Sequence, residues 1–437
     1  MLDLLLPLFY LIIINWLIFR FSFFHLPELG FKASLIAFNL KVLTGIVIWF
    51  VYTYYYTDRA TSDQYKYFDD AAILFTAFKN NPTHFIELFF DLGRDKAELI
   101  PYYERLMNWD KEYNYAWVID NRTVIRFNTL VHFFSWGNFH VHTLFMNLLS
   151  FSGLLLLFNG VYDLFKTKAK LLFASVFLMP TVLFWGSGVL KEGILIFGLG
   201  LYCFGFFKIA HDKISFKNAS SLILGILVLA SIKVYVLLCL IPASITYYIL
   251  RKISFKNIWL AFTLIQLMLV LFIFNLKWIN PELDIVNKLW FKRNDFVNVA
   301  NDWDAKSAIP ATEFDKSAIS VLIHSPQAMY NALLRPHFFE IKSVMYLMPI
   351  AENVFLFALL ILMFLYYKKP AKDEQKFIMY AMVFIIYLST MIGLVTPILG
   401  AIVRYKLPLM PFIFMLLIIC LNRDKLIQKI PSLKNII

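Results

Sequence analysis

Long, nearly uninterrupted apolar runs alternate with short basic connections along this chain. Runs of about 20 apolar residues can cross the hydrocarbon core of a bilayer as helices. They occur at 2–20, 33–56, 142–162, 171–190, 193–208, 257–276, 345–367, 377–396 and 403–421. The stretch 218–250 is also apolar, but Lys233 stands in its middle and Pro242 follows. It has room for two short spans meeting near Lys233, which brings the expected total to about eleven transmembrane helices. The runs are continuously apolar rather than alternating, which argues against spanning strands. The pattern predicts an all-α polytopic membrane protein, a single integral membrane domain over 1–437. The first run lacks a basic flank and is too long for a cleaved signal, so it reads as a retained span.

The basic connections give the chain a direction. Residues 165–170, 208–217, 251–256 and 368–376 and the tail from Arg423 to Lys434 are rich in Lys and Arg. With eleven spans they share one side with the 20–32 loop, the cytoplasmic side by the positive-inside rule. The N-terminus is then expected outside and the C-terminus in the cytoplasm. Two long segments, 57–141 and 277–344, fall on the outer side. Within the first, YFDDAAILFTAFKNN, HFIELFFDL and VIRFNTLVHFF carry apolar residues at helical spacing, as interfacial helices do.

Composition agrees with this reading and removes the main rival. Of 437 residues 60% are hydrophobic and only 16% charged, whereas soluble domains carry about 25% charged residues. The net charge of +12 would suggest nucleic acid in a soluble chain; here it marks cytoplasmic turns beside anionic lipid. Cys203, Cys239 and Cys420 all lie in apolar runs, so neither a disulfide framework nor a metal spacing is expected.

Charges at membrane depth are costly and point to function. After the second run comes TSDQYKYFDDA, with Asp63, Asp69 and Asp70 in one short segment. On a helix 63 and 70 share a face, where a carboxylate can act as general base or, with a neighbour, hold a divalent metal cation. The alternative is that these acids only cap and solvate an interfacial helix. In PTVLFWGSGVLKEGIL, Lys191 and Glu192 follow a Gly-rich break, suited to gripping an anionic group, with Glu192 paired to Lys191 or to another cation. Lys233, Arg335, His337, Glu340, Glu352, Arg404 and Lys406 fall at or near the same outer side. Each cation alone could simply snorkel to water. Together they match a site for the phosphate or pyrophosphate of a lipid whose tail stays in the bilayer. His132, His140 and His142 read as interfacial aromatic-belt residues rather than metal ligands, and Asn121-Arg-Thr123 is a glycosylation sequon too common to carry weight. No phosphate loop, dinucleotide fingerprint or hydrolase motif is present.

The arrangement resembles the GT-C class of polytopic membrane glycosyltransferases. The resemblance rests on SDQYKYFDDA, on the R-F-N-x-L stretch from Arg126 to Leu130, and on RYKLPLMP from Arg404 to Pro411. PTVLFWGSGVLKEG also looks like a stretch found in bacterial members of this grouping. The likeness implies transfer of a sugar from a polyprenyl-phosphate donor to a lipid, glycan or protein acceptor, outside the bacterial inner membrane. An Asp of the 63–70 cluster would be the base, and the cations, Arg404 foremost with Arg126, Lys191, Lys233, Arg335 and Lys406, would hold the donor. The chain differs from the simplest members in an extra span before the acidic loop and in lacking a soluble C-terminal domain. Two other readings stand beside this one. A polymerase or ligase of lipid-linked oligosaccharides would lean on outer arginines. A transporter or flippase for such lipids would show repeats or helices broken at the midplane, and Lys41, well inside a span, could line its cavity.

Overall fold

The computed structural model describes residues 2–109, 120–211, 214–302 and 304–432. Parts of the first outer segment, the 208–217 turn and the tail, including Lys434, lie outside the described residues. The protein is 81% helical. Among the described residues there is no strand, only isolated bridges at Leu26–Gly30, Ala308–Ile398 and Tyr367–Leu421. In chain order the helices are α1 (Leu2–Arg20), α2 (Gly30–Phe50), α3 (Asp63–Asn80), α4 (Pro82–Phe90), α5 (Ile100–Tyr103), α6 (Asp120–Ser135), α7 (Phe139–Val161), α8 (Ala169–Phe177), α9 (Pro180–Trp185) and α10 (Lys191–His211). They continue as α11 (Phe216–Lys252), α12 (Ile258–Asn275), α13 (Ile285–Asp302), α14 (Ala318–Leu334), α15 (Leu347–Leu365), α16 (Lys372–Val395), α17 (Leu399–Tyr405), α18 (Met410–Cys420) and α19 (Arg423–Lys429).

Among the described residues eight helical segments are long and apolar enough to cross a membrane: Gly30–Tyr55, Phe139–Leu164, Lys191–His211, Phe216–Lys252, Ile258–Trp278, Val344–Leu365, Lys372–Val395 and Leu399–Cys420. The chain is thus an all-α polytopic membrane protein. The difference from the expected eleven has three sources. The described apolar part of α1, Leu4–Arg20, is shorter than any of the eight. The 171–190 run is not one helix, because the chain breaks at Leu178–Met179, ahead of Pro180, which cannot donate the helical hydrogen bond. The 218–250 stretch, within α11, counts once among the eight although its two helical halves meet at Lys233, whose backbone is not helical (φ −150°, ψ 80°). The break thus falls at the residue the sequence indicates, with a helix on either side of it.

Helix starts follow local chemistry. Asn81, Asn138 and Asn257 each accept backbone N–H bonds at the starts of α4, α7 and α12, and Pro82 opens α4 at the one turn where its missing N–H costs nothing. The three aromatic stretches singled out in the first outer segment are α3, α4 and α6.

The chain forms two compact units, one from residues 1–163 and 183–234, the other from 164–182 and 235–437. In the first, α7 and α10 pack backbone to backbone: a Cβ on Gly200 would stand 1.9 Å from Gly153 O. The first half of α11 follows α10 in the opposite direction, with Gly205 against Leu222 and Gly225 against Tyr202. Phe38 of α2 meets Phe151 of α7, ring centroids 5.6 Å apart. One end of this unit gathers basic connections, through Tyr162 to Glu28 (2.7 Å) and Lys208 to Asp163 (3.0 Å). In the second unit the 165–170, 251–256, 368–376 and 423 regions likewise share an end. There Arg251 pairs with Asp373, Arg423 reaches Thr167 O, and Lys168 donates to Ile418, Ile419 and Leu421 carbonyls at the end of α18. At its other end the 306–309 strip pairs with the 397–399 turn. The outward side of α12 is apolar and exposed, from Leu260 through Leu264, Leu267, Met268 and Leu271 to Phe272, a surface suited to acyl chains.

Candidate functional site

In the first unit, α3 packs against α6, Tyr67 donating to Asn121 Oδ1 (3.0 Å) and Phe75 stacking on His132. Asp63 opens α3 and Asp120 opens α6, while Tyr65 and Phe68, near the start of α3, meet Phe139 beyond the end of α6. The three aspartates of the acidic motif have different surroundings. Asp69 is held by Arg59 through two hydrogen bonds (2.6 and 3.0 Å), and Arg59 lies over the Tyr65 ring. Asp70 is fully buried, and both its oxygens accept backbone N–H groups from Met107 (2.8 Å), Asn108 (2.7 Å) and Trp109 (3.0 Å). Burial pushes its carboxyl above the usual range, against the pull of those three donors. Asp63 is half-buried in the first turn of α3, one turn before Tyr67.

The loop that Asp70 holds carries Trp109, and Trp109 lies under two guanidinium groups, those of Arg122 (5.2 Å) and Arg126 (5.1 Å). These arginines are one turn apart on α6 and share a face. Arg122 pairs with Asp91, as does Arg94, while Arg126 donates from Nε to Phe89 O (2.7 Å). Burial, and then the charge of Arg122, lower the pKa of Arg126 from its ordinary value. Arg94 and Arg122 thus share the carboxylate of Asp91.

Lys191 and Glu192, the first residues of α10, do not pair with each other. Lys191 Nζ binds Asp120 (2.6 Å), joining the start of α10 to that of α6. Glu192, fully buried, pairs with Lys233 (3.3 Å), whose side chain is 5% exposed. Lys191, Glu192 and Lys233 therefore gather at the start of α10, and Tyr67 of α3 reaches the neighbouring Asn121. Asp69 and Asp70 lie further along α3, and Arg126 further along α6.

In the second unit Arg335 is occupied by Glu340 and Asn331, and Glu340 also accepts the His337 N–H (2.8 Å). Lys406 is buried and donates to Asn353 (2.9 Å), next to buried Glu352, which accepts the N–H and hydroxyl of Thr181. Arg404, two residues earlier, lies in the last turn of α17. Of the histidines, His142 stands between Ser135 Oγ and Asn128 Oδ1 (both 2.9 Å) with His132 against its ring, and His140 packs on Trp49. Among the described residues no group of three His, Cys, Asp or Glu could hold a metal ion.

Sequence reasoning passed over Asp120, Asp91 and Trp109. Asp120 has a legible signal, an acid opening an amphipathic helical stretch; the other two act through contacts between distant loops. No protein-family model, no curated protein and no solved structure matches this chain.

Proposed function

We propose that this protein is a membrane glycosyltransferase of the GT-C kind, moving a sugar from a polyprenyl-phosphate or pyrophosphate donor to an acceptor on the extracytoplasmic face. The observation that carries the reading is the Lys191–Asp120 pair, which joins the starts of α6 and α10, with Tyr67, one turn after Asp63, bonded to the adjoining Asn121. Carboxylate, ammonium and helix N-termini there combine a base with a preference for anions. Asp63 takes the proton of the acceptor hydroxyl as its oxygen attacks the anomeric carbon. The phosphate leaves with the bonding electrons toward Lys191 and the Arg122–Arg126 pair. Asp70 organises the Trp109 loop, and Asp69 is engaged by Arg59. Arg335, Arg404 and Lys406 are further candidates for the donor's phosphate. The protein would sit in the bacterial inner membrane with its N-terminus outside and its C-terminus in the cytoplasm.

A second reading, a transporter for lipid-linked sugars, draws on the buried Glu192–Lys233 pair at the break in α11. Proteoliposomes with a radiolabelled polyprenyl-phosphate sugar separate the two. Asp63→Asn should lower transfer ~10²–10⁴-fold with the fold intact. Asp69→Asn should change it far less, and Asp70→Asn should lower it while exposing residues 107–109 to proteolysis. Full transfer by Asp63→Asn would refute the base assignment, and lipid movement without transfer would favour the transporter.

A further inference from the structure

Lys41 lies in the middle of the Gly30–Tyr55 span and is wholly buried. Its Nζ donates to Gly186 O (2.8 Å) and Ser187 Oγ (3.2 Å), both neutral, and it makes no ion pair among the described residues. An ammonium has three donors, and these bonds use two. One turn further along α2 is Gly45. The place a side chain would take there is 2.8 Å from Ser187 O and 2.9 Å from Asn147 Nδ2, so α2, α7 and the 186–190 turn converge on one spot. Asn147 is fully buried with neither Nδ2 nor Oδ1 hydrogen-bonded. Ser150, three residues on along α7, is fully buried with its hydroxyl unbonded. The Phe38–Phe151 pair adds an apolar wall from the same two helices.

The chemistry of these groups selects the ligand. A cation is repelled by Lys41. An anion would accept from Lys41, Asn147 Nδ2 and Ser150 but leave Asn147 Oδ1 unsatisfied in an apolar interior. Water both donates and accepts, and buried waters typically make about three hydrogen bonds to such groups. We infer that Lys41, Asn147 and Ser150 form an internal hydration site, in which at least one bound water solvates the lysine and ties the 186–190 turn to α2 and α7. The turn leads directly into Lys191 and Glu192, so the site is a positioning device for both. This inference is independent of the reaction proposed above.

Double-variant thermal unfolding of the purified full-length protein, followed by tryptophan fluorescence, tests it. Asn147→Leu in the presence of Lys41 should lower the midpoint by about 2–4 °C or more. Lys41→Met combined with Asn147→Leu should lose clearly less than the sum, because the network is then removed whole. Asn147→Asp supplies a carboxylate in place of the water, and should be tolerated beside Lys41 but harmful with Lys41→Met. Hydrogen exchange at Ser187–Leu190 should quicken in both Lys41→Met and Asn147→Leu. Strictly additive losses, with Asn147→Asp equally harmful in both backgrounds, would overturn the inference. So would a midpoint that rises with chloride but not with gluconate at equal ionic strength, which would identify the ligand as an anion.

Discussion

Removing either partner of the Glu192–Lys233 pair should cost far more than removing both. The two groups are 3.3 Å apart, with Glu192 fully buried and the Lys233 side chain 5% exposed. At an effective dielectric constant near 20 their attraction is about 5 kcal/mol, which roughly offsets the cost of taking both from water. Glu192→Gln leaves a buried ammonium facing an amide, and Lys233→Met leaves a buried carboxylate facing a thioether. Each should destabilise by about 3–5 kcal/mol. For a cooperative unit of roughly 200 residues, where 1 kcal/mol moves the midpoint about 2–4 °C, that is a fall of about 6–20 °C. The Glu192→Gln, Lys233→Met double variant should recover most of it. The assay is tryptophan-fluorescence unfolding of the four proteins in one detergent, at low and high salt, since a buried pair is only weakly screened. Equal losses in the single and double variants would refute the reasoning, because the pair would then contribute nothing beyond each side chain's packing.

Two further outcomes are expected. His132 faces Phe68, Phe75 and His142, with Asp69 and Lys79 as the nearest charges, and burial depresses its pKa below 6.5. The unfolded chain therefore binds its proton first as the pH falls, so the contribution of His132, fully present above pH 6.5, should be lost below it, and His132→Phe should flatten that part of a stability–pH curve. Gly200→Ala should abolish folded protein in membranes, since its Cβ would stand 1.9 Å from Gly153 O, whereas Gly400→Ala, whose nearest neighbour is 3.8 Å away, should be close to neutral by detergent-resistant yield.

The membrane class was plain in the sequence because apolar runs of spanning length have few other uses. The interruption at Lys233 was legible for the same reason, as one charge in such a run demands a partner or a bend. The failure at 171–190 shows the limit of that signal. Apolarity is equally high whether a segment faces lipid or is buried among its neighbours, so it does not reveal the break at Leu178–Met179. The acidic motif was recognisable, yet its three carboxylates could not be ranked. What sets Asp70 apart is a loop 37–39 residues away, and what sets Asp69 apart is Arg59 reaching back across a turn. Lys191 and Glu192 were found by their position after a Gly-rich break. Their partners, Asp120 and Lys233, lie 71 and 41 residues away, beyond any local pattern.

The division of the chain between its two units also sets an order of assembly. The chain leaves the first unit after Asp163, returns at Leu183 and departs again after Val234. During synthesis the first unit lacks α10 and half of α11 until residue 234 has emerged. The 164–182 piece of the second must wait in the membrane for partners made much later: Thr181 meets Glu352 171 residues on, and Lys168 meets Ile418 250 residues on. At ~5–20 residues per second these waits last roughly ten seconds to a minute. Throughout that time Lys168 and Thr181 have only lipid, water or the insertion machinery for company. Biogenesis of this protein should therefore depend on a membrane chaperone more than its plain apolar helices would suggest.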